Sequence, residues 1–544
     1  MNATFTLDDI AVGTMKMITV DGRRVCLVRT RDGLHAIDQA CPHEGYGLTQ
    51  GELDGDLVTC AWHNWKFRVT DGTCVQGEES VQSHHVTVAD DGAVQVSINR
   101  PDPAERRPQL VASLRRGIER DYTGQVARDV VRLLQADANP GELIWEAVAH
   151  GAPRAEFGWG HSIASATDCL SMIDLYEGDQ RALPIVQGIK GIAESERGRP
   201  VNRLPDPAPT PDATAAAFRL AIEAEQILDA QACVLAAIER GDGADDLRPW
   251  FSAVVSDHHL SYGHGAIYTQ KAFELLDMIG WHRAATVLPH LVPTLVYGTR
   301  EDKLPYMRPL MKALAGVDLE ALARCAGAST AGEWSDDGTL GAALLGDRRT
   351  APVDATVDAI RRGASVDHVL DVVVRAVSER MLRYDVAGEF DFADDFGWLD
   401  ITHGLTSANA VRWHHRLAVE HGSGTSPDLL RLVLFTAFLA QWTGRHEWHT
   451  RVGERHEVEP LGSTLGGYAA ELQRQSMLDG TTAFIVHAHA VKTSRAAALE
   501  AERSGSTVTL DATARFLAAP KLERFVAATV TRSIDFLNGR TQRP

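Results

Sequence analysis

Two strings separated by sixteen residues decide the fold of the N-terminal part of the chain, namely Cys41-Pro42-His43 and Cys60-Ala61-Trp62-His63. They form the pattern C-x-H followed by C-x-x-H, which offers two thiolates and two imidazoles to metal. Two thiolates can bind one iron of a [2Fe–2S] cluster and two imidazoles the other, whereas zinc would take all four in one tetrahedral site. Glycines at 45, 47 and 51 let backbone N–H groups approach cluster sulfides, which favours the cluster.

Residues up to about 99 have the composition and alternation of β-strands. Asp-Gly dipeptides, which favour hairpin turns, separate the apolar runs. The predicted strands are 15–20, 24–29, 57–60, 66–69, 84–88 and 93–98. We therefore expect a small antiparallel β domain at 1–100, with the cluster ligands Cys41, His43, Cys60 and His63 in two loops at its tip.

The segment from Cys60 to Phe67, with Asp71-Gly72 downstream, resembles the second cluster loop of Rieske ferredoxins and of ring-hydroxylating oxygenases. The resemblance covers about residues 5 to 98 and departs from the family at Asn64, where glycine is usual. It is of the ferredoxin type, because neither loop carries the extra cysteine of respiratory Rieske proteins. It implies an electron carrier with a potential of roughly −150 to +300 mV, against about −400 mV for an all-cysteine plant-type ferredoxin.

Composition restricts the partners of the chain. The formal net charge of −19 argues against nucleic acid and against anionic membranes. No secretory leader is visible, the longest apolar stretch is too short to span a bilayer, and seven cysteines make no disulfide framework, so we expect a cytoplasmic protein. Because no dinucleotide, P-loop or flavin fingerprint is found, we expect electrons from a separate NAD(P)H-dependent reductase or ferredoxin.

After the β domain the pattern changes. The polar, proline-bearing stretch 101–108 is typical of a linker. From 109 to 544 apolar residues recur every three or four positions, which predicts a large all-α domain and, for the whole chain, a multidomain α+β protein. Gly160-His161 and Gly263-His264 each precede an apolar helix, which suggests an internal repeat of about 140–198 and 250–312 with equivalent histidines.

Seventeen of the 22 histidines follow residue 100. An electron delivered by a Rieske cluster needs an acceptor, and neutral imidazoles commonly bind non-haem iron. We therefore expect a second, histidine-bound iron in the helical domain. Ring-hydroxylating oxygenases bind theirs through D-x-x-H-x4-H, but Ser256 takes the aspartate position before His259 and His264, and their catalytic domain is built on a sheet. That family is the second-ranked interpretation.

The string from Asp257 to Tyr268 resembles the His-rich helix start of questin oxidase-like proteins, which are all-α oxygenases acting on aromatic polyketides. Thr402-His403-Gly404-Leu405-Thr406 and His489-Ala490-Val491-Lys492 are similar to later motifs of that family, over about 140 to 500. The resemblance implies an iron bound by histidines of these motifs, namely His258, His264, His403 and His489, joined by His161 through the repeat. His259 and His487 are the alternatives to His258 and His489. Lys492, on the helix face of His489, is predicted as a further ligand or a base.

The sequence thus predicts an oxidoreductase in which a Rieske domain passes electrons to a non-haem iron that activates O₂. The substrate would be a small organic molecule, and the resemblance points to an aromatic one. Besides a ring-hydroxylating oxygenase, the alternative is an electron carrier without catalysis, fused to a helical docking or oligomerisation module. A homo-oligomer is compatible with each interpretation.

Overall fold

The computed structural model describes residues 5–99, 102–209, 212–328, 334–390, 396–448, 452–522 and 526–539. Backbone contacts divide the chain into two units, Met1–Ala138 and Asn139–Pro544. The first unit contains antiparallel sheets and the second is helical, so the predicted fold class is confirmed. Among the described helices, none has the length and apolar character needed to cross a membrane.

The strands of the first unit form two antiparallel sheets. They are β1 (Phe5–Thr6), β2 (Thr14–Val20), β3 (Arg23–Arg29), β4 (Leu34–Asp38), β5 (Glu52–Asp54), β6 (Leu57–Thr59), β7 (Lys66–Arg68), β8 (Cys74–Gln76), β9 (Ser83–Val88) and β10 (Ala93–Ser97). The larger sheet has the order β1-β10-β9-β4-β3-β2 and the smaller one β5-β6-β7-β8. All six predicted strands are present. Sequence analysis missed β1, β4, β5 and β8, which are short or rich in polar residues and give little periodic signal.

Two helices, α1 (Pro103–Glu119) and α2 (Thr123–Gln135), belong to the first unit. Arg128 of α2 donates to the Glu79 carboxylate at 2.9 Å, and Arg132 also binds Glu79. The observed division after Ala138 therefore differs from the predicted linker at 101–108. Helix α1 begins at Pro103, where the missing N–H would have no helical partner, and it also contains Pro108 beyond the first turn.

The second unit consists of helices joined by turns and by longer loops, such as 196–209. They are α3 (Pro140–Gly151), α4 (His161–Ser171), α5 (Ala182–Ser195), α6 (Ala215–Glu223), α7 (Ile227–Arg240), α8 (Ala244–Asp257), α9 (His264–Ile279), α10 (Ala284–Tyr297), α11 (Arg308–Leu314), α12 (Leu319–Gly327), α13 (Thr339–Leu345), α14 (Ala351–Arg361), α15 (Val366–Arg383), α16 (Trp398–Glu420), α17 (Pro427–Trp442), α18 (Leu465–Gln475), α19 (Phe484–Ser504), α20 (Val508–Ala518) and α21 (Val526–Leu537).

Four of these helices form a closed ring of neighbours. Helix α4 packs against α9 and α19, and α16 packs against the same two helices. The described residues of the ring helices are mostly buried, including Leu405, Val411 and Val491 at 0% exposure. Polar side chains that point into the ring are therefore held in a rigid, largely dry environment.

Candidate metal centres

The two loops that carry the predicted cluster ligands have the same backbone fold. In each loop the cysteine N–H donates to the carbonyl five residues later, and the cysteine carbonyl accepts from the N–H four residues later. The pairs are Cys41–Tyr46 at 2.8 Å and Gly45–Cys41 at 2.8 Å in the first loop, and Cys60–Trp65 at 2.8 Å and Asn64–Cys60 at 3.2 Å in the second. The first loop follows β4 and the second connects β6 to β7.

The turn explains why asparagine can replace glycine at position 64. Gly45 has φ +80° and the equivalent Asn64 has φ +59°, both in the left-handed region. Asparagine enters this region more readily than other residues with a Cβ. The departure from the family pattern is therefore accommodated by the backbone.

The residues of the two loops fit a [2Fe–2S] cluster. Cys41 and Cys60 are 2% and 1% exposed, and the rings of His43 and His63 meet edge to face at 4.3 Å between centroids. The Nδ1 atom of His43 is buried without a hydrogen-bond partner in the described part of the chain, which suits a metal ligand. Burial raises the pKa of the free Cys41 thiol to about 12, and iron would bind it as the thiolate. Trp65 stacks on His43 at 5.0 Å and fixes the ring.

A second candidate centre lies inside the helical ring, where the Nε2 atoms of four histidines form a chain of three close pairs. His161 and His264 are the first residues of α4 and α9, and His403 and His489 lie near the starts of α16 and α19. The Nε2 atom of His264 is 3.3 Å from that of His161 and 2.9 Å from that of His403. The Nε2 atoms of His403 and His489 are 3.3 Å apart. One histidine thus comes from each helix of the ring.

For three of the histidines the other ring nitrogen determines where the proton lies. His403 Nδ1 is 2.5 Å from the Leu399 carbonyl and His489 Nδ1 is 2.7 Å from the Ile485 carbonyl, while His264 Nδ1 donates to the Ser261 carbonyl. A carbonyl only accepts, so Nδ1 carries the proton and Nε2 keeps a free lone pair. Lone pairs facing each other repel, whereas imidazoles about 2.0–2.1 Å from a shared ion would have adjacent donor atoms about 3 Å apart. The donor set therefore fits a metal ion.

The electrostatics of the centre favour neutral ligands. Burial lowers the pKa of His264 to about 3, and burial followed by the charge of Lys492 holds the pKa of His161, His403 and His489 well below the usual value. The Nζ atom of Lys492 is 3.5 Å from His403 Nε2. Burial also lowers the pKa of Lys492 to about 7, against the opposing charge of Asp168. Neutral imidazole is the form that binds metal.

The segment before His264 has a strained backbone. Ser261 and Tyr262 have φ +44° and +57°, although neither is glycine. Glu301 accepts from the Tyr262 N–H at 2.7 Å. The Ser261 N–H donates to the Thr299 carbonyl, and the Thr299 N–H donates to the Ser261 hydroxyl. Such conformations cost of order 1–3 kcal/mol each and occur often at functional sites. Here the strained conformations place the Ser261 carbonyl beside the Nδ1 atom of His264.

His258, one of the predicted ligands, lies outside the group of four histidines. Its Nδ1 is 2.8 Å from Asp302 and its Nε2 is 2.7 Å from Glu223, so both ring nitrogens are occupied. Burial opposes a charge on His258, but the two carboxylates outweigh it and raise its pKa. The alternative ligands, His259 and His487, also have surroundings unlike those of the four histidines. His259 Nε2 is 3.7 Å from Glu301, and His487 Nε2 is buried without a partner among the described residues.

Sequence reasoning missed residues that support the centre. The Tyr268 hydroxyl lies 3.0 Å from His161 Nδ1 and takes the place that a backbone carbonyl has for the other histidines. The Tyr262 ring lies 5.9 Å from that of His403. Tyr268 follows His264 by one helical turn, and this spacing was the available signal. No local signal identifies Tyr262, since its position depends on the strained turn.

Comparisons with known proteins identify the first unit. The family model of the Rieske [2Fe-2S] domain matches residues 3–89. The N-terminal part of the chain is therefore a Rieske domain, which confirms the prediction from sequence. The helical region is not named by any of the relatives, so the resemblance to questin oxidase-like proteins stays a prediction.

Among the relatives, the cholesterol 7-desaturase of Xenopus laevis is 36% identical over 66 residues, 12% of this chain and 14% of that protein. The ferredoxin component of the alkene monooxygenase system of Xanthobacter autotrophicus is 36% identical over 67 residues, 12% of this chain and 55% of that protein. The chain thus spans 14% and 55% of the lengths of these two. A solved structure, the ferredoxin of carbazole 1,9a-dioxygenase from Nocardioides aromaticivorans IC177, is 27% identical and covers 18% of this chain and 95% of that one, with a TM-score of 0.17.

Proposed function

We propose that the protein is an oxygenase in which the Rieske domain supplies electrons to an iron bound by His161, His264, His403 and His489. The convergence of the four Nε2 atoms, 2.9 to 3.3 Å apart in the measured pairs, carries the proposal. Bound iron would supply the one-electron chemistry that O₂ activation requires. The protein would act on a small organic substrate and receive its electrons from a separate reductase or ferredoxin.

The Rieske domain favours iron over zinc at the second centre. Four imidazoles suit zinc, copper, nickel and iron alike. Zinc has no redox chemistry, so it would make no use of electrons from a domain in the same chain. The relatives of the Rieske domain include components named as oxygenases, which supports an oxidoreductase.

The residues around the four histidines favour an anionic group beside the metal. The ligands are neutral, so they leave the charge of the ion uncompensated, and Lys492 adds to it when protonated. A deprotonated phenol or an acidic enol would be attracted to such a site. His161 and His264 remain partly accessible, whereas His403 and His489 are buried, so we place the substrate on the His161–His264 side. Lys492, which contacts His403, would hold or move a proton there.

Metal analysis of purified holoprotein tests the function. We expect three irons per chain, two from the cluster and one from the helical centre. His264→Ala and His403→Ala should each remove the third iron while the visible and electron paramagnetic spectra of the Rieske cluster persist. His258→Ala is the matched control, because this histidine binds two carboxylates outside the centre.

A second measurement links the two centres. Holoprotein reduced without oxygen and mixed with O₂ should reoxidise its cluster rapidly, and His264→Ala should do so slowly. Two irons per chain, with the same reoxidation rate in His264→Ala as in the unaltered protein, would instead support an electron carrier with a helical docking module.

A further inference from the structure

Polar side chains continue from the metal ligands along the facing sides of the ring helices. Residues four and seven positions apart share one face of a helix. The polar residues one and two turns beyond a ligand are Ser165 and Asp168 after His161 in α4, and Tyr268 and Lys271 after His264 in α9. All four are buried, with Ser165 at 0% and Asp168 at 1% exposure. A polar column therefore runs between these helices in an otherwise apolar interior.

The column ends at the surface in a triad of charges. Lys271 Nζ lies 2.8 Å from Asp168 Oδ1 and 2.9 Å from Glu274 Oε2. Glu274 is partly exposed and lines a groove with a volume of about 640 Å³. The side-chain amide of Gln270 donates to Glu274 at 2.8 Å and holds it in place. The triad thus joins the groove to the buried carboxyl of Asp168.

At its inner end the column contains hydroxyls that lack partners. Ser165 and Thr493 are each 0% exposed, and their hydroxyls make no hydrogen bond within the described part of the chain. Thr493 follows His489 by one turn of α19, as Ser165 follows His161 in α4. Buried hydroxyls are normally satisfied, often by an ordered water. Ser165 lies between His161 and Asp168 along α4, so its hydroxyl offers a site for water between the carboxyl and the histidines.

We propose that Glu274, Lys271 and Asp168 conduct protons from the groove to the metal centre. The inference rests on the proposed function, because O₂ reduction in a buried site consumes protons. Oxygenation of a substrate RH takes up O₂, two electrons and two protons and yields ROH and water. Without substrate, O₂ takes up two electrons and two protons and yields hydrogen peroxide. In each transfer Glu274 takes one proton from water in the groove, and Asp168 releases one proton towards the metal centre. Lys271 is again in its charged form when the transfer is complete.

A purely structural role explains the triad less well. A buried ion pair is a weak source of stability, because desolvation offsets most of its attraction. Burial raises the pKa of Asp168 to about 6. The charges of Lys271 and Arg495 oppose this rise, and the charge of Glu274 adds to it. Lys492, a further charged group, lies on the neighbouring helix. A carboxyl with a raised pKa takes up a proton at higher pH than an exposed aspartate does, which suits a group that passes protons on.

Reoxidation of reduced holoprotein by O₂, in H₂O and in D₂O, tests the path. The variants are Glu274→Gln and the double variant Asp168→Asn with Lys271→Met, which leaves no unpaired buried charge. We expect each to slow reoxidation by about tenfold and to change the solvent isotope effect. The conservative variant Asp168→Glu should keep most of the reoxidation rate of the unaltered protein. Glu502→Gln is the matched control, because Glu502 lines the same groove outside the triad.

A readout without catalysis accompanies the rates. In metal-free protein we expect an infrared band of a protonated carboxyl that titrates near neutral pH, is lost in the double variant and persists in Glu502→Gln. Unchanged rates and isotope effects in both path variants, with His264→Ala still slow, would overturn the path and leave the proposed function intact. Equal rates in His264→Ala and the unaltered protein would instead overturn the proposed function.

Discussion

His161 and His264 are each the first residue of a helix, each follows a glycine, and their Nε2 atoms lie 3.3 Å apart. Two helices therefore begin at the candidate metal centre. The first N–H groups of a helix have no helical partner and give this end a partial positive charge. The arrangement adds to the preference for an anionic ligand that neutral imidazoles and Lys492 create.

Tyr268→Phe should weaken the metal centre without abolishing it. The phenol oxygen lies 3.0 Å from His161 Nδ1, and with a metal on Nε2 it would accept from the Nδ1–H. Loss of such a supporting contact lowers metal affinity by about 10- to 100-fold. Competition with a chelator, followed by iron content, measures the change. Tyr176→Phe is the control, because the Tyr176 hydroxyl has no partner among the described residues. Equal chelator resistance in both variants would contradict the supporting role of Tyr268.

Lys492→Met should stabilise the metal-free protein. Lys492 is 2% exposed, and its Nζ atom lies 3.5 Å from His403 Nε2. Burying an ammonium group without a paired carboxylate is unfavourable, so an apolar side chain of similar length should raise the free energy of unfolding by about 1–4 kcal/mol. Denaturant unfolding measures this, with Lys190→Met on the surface of α5 as the control. A less stable Lys492→Met protein would show that the amine is needed for packing.

Asn64 should tolerate glycine but not valine. A β-branched side chain at φ +59° costs roughly 1–2 kcal/mol, whereas glycine adopts this conformation freely. We expect Asn64→Val to lose the visible absorption of the cluster at a lower temperature than the unaltered protein, and Asn64→Gly to match it. If both variants lost the cluster alike, the side-chain amide of Asn64, rather than its backbone conformation, would be the important feature.

The contact of His258 with Asp302 and Glu223 should make stability depend on pH. The pKa of His258 is raised in the folded state, so the contact contributes fully below the unfolded pKa of about 6.5 and is lost as pH rises through the folded pKa. Because Glu223 is half exposed, the contribution should be no more than about 1 kcal/mol. Unfolding of His258→Gln at about pH 5.5 and about pH 8.5 measures it. His282→Gln, at an exposed histidine, should show no such difference.

Local sequence was sufficient for the Rieske domain. The ligands Cys41 and His43, and likewise Cys60 and His63, lie within single loops, so their spacing alone fixes which atoms can meet. The Asp-Gly turns predicted the hairpins, and the helical period predicted the second unit. The division after Ala138 escaped prediction, because it depends on the contact of Arg128 and Arg132 with Glu79 and not on any local pattern.

For the second centre the sequence supplied candidates and the tertiary structure selected among them. His161 and His264 were singled out by their repeated Gly-His motif, and His403 and His489 by a family resemblance. Which histidines meet depends on the packing of α4, α9, α16 and α19, whose ligands lie 86 to 139 residues apart in the measured pairs. His258 has the same local signal as its neighbours, yet it follows the last residue of α8 and contacts Asp302 and Glu223. Chain spacing sets local geometry, but only the burial of helix faces against one another determines contacts over such separations.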